Sequence, residues 1–323
     1  GSDFISDPEL DELLTKDSVF KYAGKYYIYA IVQPTTNYKG KITGCRVINV
    51  QDTEDSSAHH TNYAGGWDGM TTVPIKAGEG KSFYLSGSYS TIYTELLLSQ
   101  GKNLTLCLNG KTLSATKSIT SYDQIRVTGG ASLTINDCTE TGTVKGTVVS
   151  SGVGGIAYVQ NGSITINGGK FTGGTAKTGG GAIVVDKDGV LTIFGGEISG
   201  NTVTDGNGGA IYIKSGGIVN IFGGTIEDNH VTSGNGGAIY VAAGGTLNLC
   251  GGTITDNTAS GLGGGIYVEA GGKLNIQKNP VVTNNTANGK ASNVYLAGND
   301  QQLSAVNMTA GAKIGISVEA SLY

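Results

Sequence analysis

In the second half of the chain, apolar residues alternate with polar or aromatic ones in short runs, as in Ile211 and Ile213, then Val219 and Ile221. A period of two belongs to strands, and no 3.6-residue stripe competes with it. Three strands per unit are predicted, at residues 210–213, 219–221 and 225–227. Paired glycines, Gly216-Gly217 and Gly223-Gly224, separate them where corners demand positive φ or close backbone approach.

The unit recurs. Residues 179–194 read GGGAIVVDKDGVLTIF, residues 208–222 GGAIYIKSGGIVNIF, residues 236–250 GGAIYVAAGGTLNLC and residues 263–277 GGGIYVEAGGKLNIQ, with Ile183, Ile211, Ile239 and Ile266 spaced by 28, 28 and 27. Strands too short for hairpins, returning once per period, pair with their counterparts in the next unit, so the chain is expected to wind as a parallel β-helix. Equivalent residues then stack in columns. Leu191/Val219/Leu247/Leu274, Ile193/Ile221/Leu249/Ile276 and Ile198/Ile226/Ile254/Val282 are the predicted inward columns. Less regular copies lie at residues 156–166, 125–135 and 104–113, and Val294-Tyr295-Leu296 continues the series. About seven coils follow, a rod of roughly 34 Å at the usual inter-strand spacing.

The expected organisation is all-β: a cap or small β-rich domain over residues 1–95, a right-handed parallel β-helix over 96–303 and a closing segment or linker over 304–323. The first part holds nine of the sixteen tyrosines, Trp67, His59 and His60, but only ten of the 55 glycines. Ser6-Asp7-Pro8-Glu9 ahead of Leu10, Leu13 and Leu14 signals a short capped helix, and residues 26–32 and 46–50 read as strands.

The repeats resemble the pectin-lyase-like right-handed β-helix superfamily, and in detail those of polymorphic outer-membrane proteins and bacterial adhesin-like surface proteins. The likeness rests on GGA[ILV] at Gly181-Ala182-Ile183, Gly209-Ala210-Ile211 and Gly237-Ala238-Ile239. It rests also on a hydrophobic-x-x-Asn element at residues 198–201, 226–229, 254–257 and 282–285. Where the family has Phe, this chain has Ile or Val. Leu108-Asn109-Gly110-Lys111-Thr112-Leu113 resembles an opening coil of secreted bacterial β-helix proteins. The resemblance implies export to the cell surface or beyond. It leaves function open, because the superfamily holds lyases, hydrolases and adhesins alike.

Composition narrows the partners. The glycine share, 55 of 323, lacks collagen's every-third spacing, and no stretch approaches the 18 apolar residues of a membrane span. A net charge of -4 with arginine only at 46 and 126 argues against nucleic acid and anionic lipid. Gly1-Ser2 reads as the remnant of tag removal, with any export signal expected upstream of it. The stretch before Tyr323 carries no evident tail or sorting signal, as expected of a part of something longer.

Four sets of residues are candidates for a role. Asn201, Asn229, Asn257 and Asn285, one per coil, are expected to stack as an internal structural ladder. Tyr158, Tyr212, Tyr240, Tyr267 and Tyr295, with Val184 in the coil that breaks the series, are expected to point outward. That stripe is the candidate binding face for a glycan or a host or cell-surface ligand, against the plainer reading of a ladder that stiffens the sheet. Phe194, Phe222 and Cys250 form a further column at a strand end. Alternation points them outward, so a corner or a covering segment must bury them.

Glu227, Asp228 and Asp256 are the alternative, catalytic set. Paired carboxylates in successive coils suit a Ca²⁺ site or a retaining glycosidase, and equally suit polar residues before a turn. A pectate-lyase chemistry would also need a nearby basic residue, and no arginine follows Arg126. No cofactor is expected, calcium being the one ion those carboxylates admit. His59-His60 near Asp52, Glu54 and Asp55 is the other conceivable metal site. Cys107 and Cys138, 31 residues apart, are near one coil length; an inter-coil disulfide and two buried thiols both stay open. A non-catalytic surface or secreted module for adhesion or glycan binding ranks first, and a polysaccharide-degrading lyase or glycoside hydrolase second.

Overall fold

The structure, a computed structural model, describes residues 24–31, 42–50, 81–85, 88–91, 96–115, 124–149, 152–298 and 302–318. It divides into two units, residues 1–63 and 64–323. In the first, Gly24–Ile31 and Ile42–Val50 pair as antiparallel strands. The expected helix near residue 10 lies outside the described residues.

The second unit is a parallel β-helix of about seven coils. No helix occurs among the described residues. In the Ile183 coil the strands are Ile183–Val185, Gly189–Ile193, Glu197–Ser199 and Thr202–Val203, which define first, second, third and fourth faces. The first and second faces form one sheet, because Ile125–Asn136 and Ala157–Ile166 run through both. Lys81–Tyr84 and Tyr89–Thr91 precede the first full coil in the ladder, and Val294–Leu296, Gln302–Met308, Lys313–Ile314 and Ile316–Val318 follow the last.

Register places the inward columns as their spacing predicts. Leu191 lies over Val219, Val219 over Leu247 and Leu247 over Leu274. Ile198, Ile226, Ile254 and Val282 stack likewise on the third face. All are buried in one continuous core. The fourth face was not predicted. Its strands are two residues long, too short for an alternating pattern, and Ala176, Val203, Val231 and Ala259 make a small core of their own beneath it.

The GGA signature has a steric cause at each position. Its first glycine, as at Gly208 (φ 70°), lies in the left-handed region where side chains are strained. Its second, as at Gly209, has an ordinary φ, but a Cβ there would run into the carbonyl oxygen of Gly237 in the next coil. The alanine points inward and is buried. The motif is therefore the place where successive coils approach backbone to backbone.

Candidate functional site: an outer tyrosine face beside an inner asparagine ladder

Asn201, Asn229, Asn257 and Asn285 sit between the third and fourth faces, essentially inaccessible to water. Asn229 is representative. Its Nδ2 donates to the carbonyls of Ile198 (2.9 Å) and Glu227 (2.8 Å) and to Oδ1 of Asn257 (2.9 Å). Its own Oδ1 accepts from the backbone N–H of Asn201 (3.1 Å) and from Asn201 Nδ2 (2.9 Å). Asn293 closes the ladder at one end, accepting from Asn285. At the other, Gly174 N–H donates to Asn201. Each amide thus satisfies corner backbone that the turn would otherwise leave unpaired.

The tyrosines lie on the first face. Tyr212 pairs in register with Tyr240, Tyr240 with Tyr267 and Tyr267 with Tyr295, each flanked by buried inward neighbours such as Ile211 and Ile213. Ring centroids are 5.3, 5.1 and 5.6 Å apart; the last two pairs are parallel within 8° and the first is edge-on at 74°. Rings stacked along the rod turn their faces to one another. The ring edges are what is left to face outward, and the Tyr240 hydroxyl is hydrogen-bonded to Glu269. Tyr240 is only 7% exposed and the other three are half-buried. Burial, with the nearby Glu269 carboxylate, pushes the Tyr212 and Tyr240 phenols above their ordinary range.

Tyr158 stands apart from this stack. Val184 lies between it and Tyr212 in the ladder. Its hydroxyl donates to Asp186, and the Arg126 guanidinium lies over its ring at 4.9 Å. Lys214 joins the cluster, its Nζ 2.8 Å from Asp186 and 5.6 Å from the ring centroid. Burial works against ionisation of Asp186, but hydrogen bonds from Lys214 and Tyr158 outweigh it and hold the carboxyl below its ordinary value.

The acidic set has a conformational explanation. Asp228 and Asp256 follow the third-face strands at the position held by Gly173, Gly200 and Asn284 in neighbouring coils, and all five have φ between 53° and 73°. Glycine, asparagine and aspartate are the residues that tolerate the left-handed region. Both aspartates are exposed. Glu227 is half-buried, and burial together with Glu197 and Asp228 raises its carboxyl, while Lys170 is paired to Glu197 at 2.7 Å. Among the described residues, no group of three or more His, Cys, Asp or Glu side chains is placed to hold a metal ion. His59 and His60 lie outside the described residues.

Phe194, Phe222 and Cys250 are buried, the two rings stacked at 5.1 Å. Beside them runs a second ladder that the sequence reading missed. Asn275 donates to Asn248 (2.8 Å), Asn248 to Asn220 (2.7 Å) and Asn220 to Thr192 (3.4 Å), on the outward side of the second face. An asparagine just before the last inward residue in three consecutive second-face strands, at 220, 248 and 275, was the available signal.

Residues 251–269 match the family model described as the Chlamydia polymorphic membrane protein (Chlamydia_PMP) repeat. The matched stretch carries the hydrophobic-x-x-Asn element from Ile254 to Asn257 at the third-face corner and, where the earlier coils have GGA, the Gly263-Gly264-Gly265-Ile266-Tyr267 run that enters the first face. No curated protein and no solved structure gives a significant match.

Proposed function

We propose that this chain is a non-catalytic, surface-displayed or secreted β-helix module of adhesin type, with the tyrosine face as its contact for an extended glycan. The match to a polymorphic membrane protein repeat supports the surface assignment. One observation carries the choice of face: the stack from Tyr212 to Tyr295 repeats at coil spacing, in register, on the outer side of a rigid sheet. A polymer with a regular sugar repeat meets regularly spaced hydroxyl groups there. Because the rings are stacked on one another, recognition runs along their outward edges, with Glu269 beside Tyr212 and Tyr240. No calcium or other cofactor is part of this reading.

The test is retention on a panel of immobilised polysaccharides, with and without Ca²⁺, with product release assayed in parallel. Retention without release is expected. Tyr267→Phe, which keeps the ring and loses the hydroxyl, should weaken retention several-fold, and Tyr267→Ala should weaken it further. A folded Tyr267→Ala variant that is retained like wild type removes the face from consideration. Product release abolished by Asp228→Ala or Asp256→Ala would make the chain a polysaccharide-degrading enzyme instead.

A further inference from the structure

We propose that Cys107 and Cys138 form a cross-linking site, closed to a disulfide between two consecutive coils by a small-molecule disulfide oxidant. Cys107 ends the strand Asn103–Cys107, which pairs with Ile125–Asn136 so that Cys107 faces Asn136. Cys138 follows two residues later, and the two sulfurs are 3.5 Å apart. A disulfide needs about 2.05 Å. The difference is within the reach of side-chain rotation.

The backbone around the pair is already fixed. Leu108 N–H donates to the Asn136 carbonyl at 2.8 Å. Asp137, between the two cysteine segments, accepts from Gly110 N–H (2.9 Å) with one carboxylate oxygen and from Gly142 N–H (2.6 Å) with the other. Asn109 anchors the same turn, donating to the Leu85 carbonyl at 3.0 Å. Closure therefore asks for no change of fold.

The order of events follows from exposure. Cys107 is 2% exposed, whereas Cys138 is half-buried and meets the oxidant first. The Cys138 thiolate attacks one sulfur of oxidised glutathione, forming a mixed disulfide and expelling one glutathione thiolate. The Cys107 thiolate then attacks the Cys138 sulfur, and the second glutathione leaves. Two electrons pass from the cysteines to oxidised glutathione, and the two thiol protons end on the two glutathiones released. Hydrogen bonding to Cys107, then burial, raises the Cys138 thiol above its ordinary range, so closure should accelerate as the pH rises.

The full chain is incubated with oxidised glutathione over a series of pH values and analysed by intact mass and by peptide mapping without reduction. The expected product has lost two hydrogens, carries no glutathione and links the Cys107 peptide to the Cys138 peptide. Its thermal midpoint should rise by about 5 °C or more, reversibly with reductant, since the bond closes a loop of about 31 residues. Cys138→Ser should abolish the link. A stable glutathione adduct, unmodified thiols, or a link from either residue to Cys45 or Cys250 overturns the proposal. The wild-type mapping decides even where a variant fails to fold.

Discussion

The corner that holds Asn229 and the face that holds Tyr267 are built from the same device, one residue per coil at the coil spacing, yet they differ in what stacking leaves over. At the corner, each asparagine spends both amide groups on the coil above, the coil below and its own turn. Nothing remains for a ligand. On the first face, each tyrosine spends its ring on its neighbours and lies outside the continuous core, half-exposed in every case but Tyr240. Repetition alone therefore does not mark a binding site. The question is whether the repeated group can still be reached from solvent once its neighbours are packed.

The largest effect on the fold that carries both columns should come from a single added methyl group where coils approach backbone to backbone. Gly209→Ala places a Cβ against the Gly237 carbonyl, with backbone on both sides and no flexible side chain to move aside. The expected cost is about 3 kcal/mol or more, read as a fall in the denaturation midpoint or a loss of soluble protein. A variant as stable as wild type would mean that the coils are not held this closely. Next comes Asn229→Ala, which leaves several buried partners of the amide unpaired at once and should cost about 2 to 3 kcal/mol. Its retention on any polysaccharide that binds wild type should be unchanged.

Tyr267→Ala should be milder. It removes two ring contacts worth about 0.5 to 1 kcal/mol each at this half-exposed position, and chemical denaturation should place it near 1 to 2 kcal/mol below wild type. The comparison sharpens if this variant loses retention while the more damaging Asn229→Ala keeps it. It breaks if the order of the two phenotypes reverses.

Much of this is legible in the sequence. A fixed period of 27 or 28 residues converts text spacing into vertical alignment, so Leu191 over Val219 and Asn201 over Asn229 needed only the assumption of parallel pairing. The Thr202–Val203 face was hidden because two residues cannot display a period. The Asn220 ladder was hidden because a polar residue between two inward ones reads as an ordinary solvent position, and only the register reveals its partners above and below. The tyrosines lie between inward residues and outside the continuous core, with Tyr240 only 7% exposed. Whether their rings splay outward or stack depends on side-chain torsions that alternation does not set. Stacking is what changes the expected mode of contact from ring faces to edges.

Asp228 and Asp256 expose the opposite risk, a column that suggests chemistry in the sequence and conformation in the structure. Their φ values of 53° and 56° match the 64° of Gly200 one coil earlier and the 58° of Asn284 one coil later. If that torsion is why these residues are there, Asp228→Gly should change stability by no more than about 0.5 kcal/mol: glycine relieves the left-handed strain while loosening the unfolded chain. Asp228→Val, with its β-branched side chain forced to positive φ, should cost about 1 to 2 kcal/mol. Equilibrium denaturation of the two variants reads the difference directly. A large loss in Asp228→Gly would instead mean that the carboxylate makes a necessary contact, and would return the acidic pair to the list of possible sites.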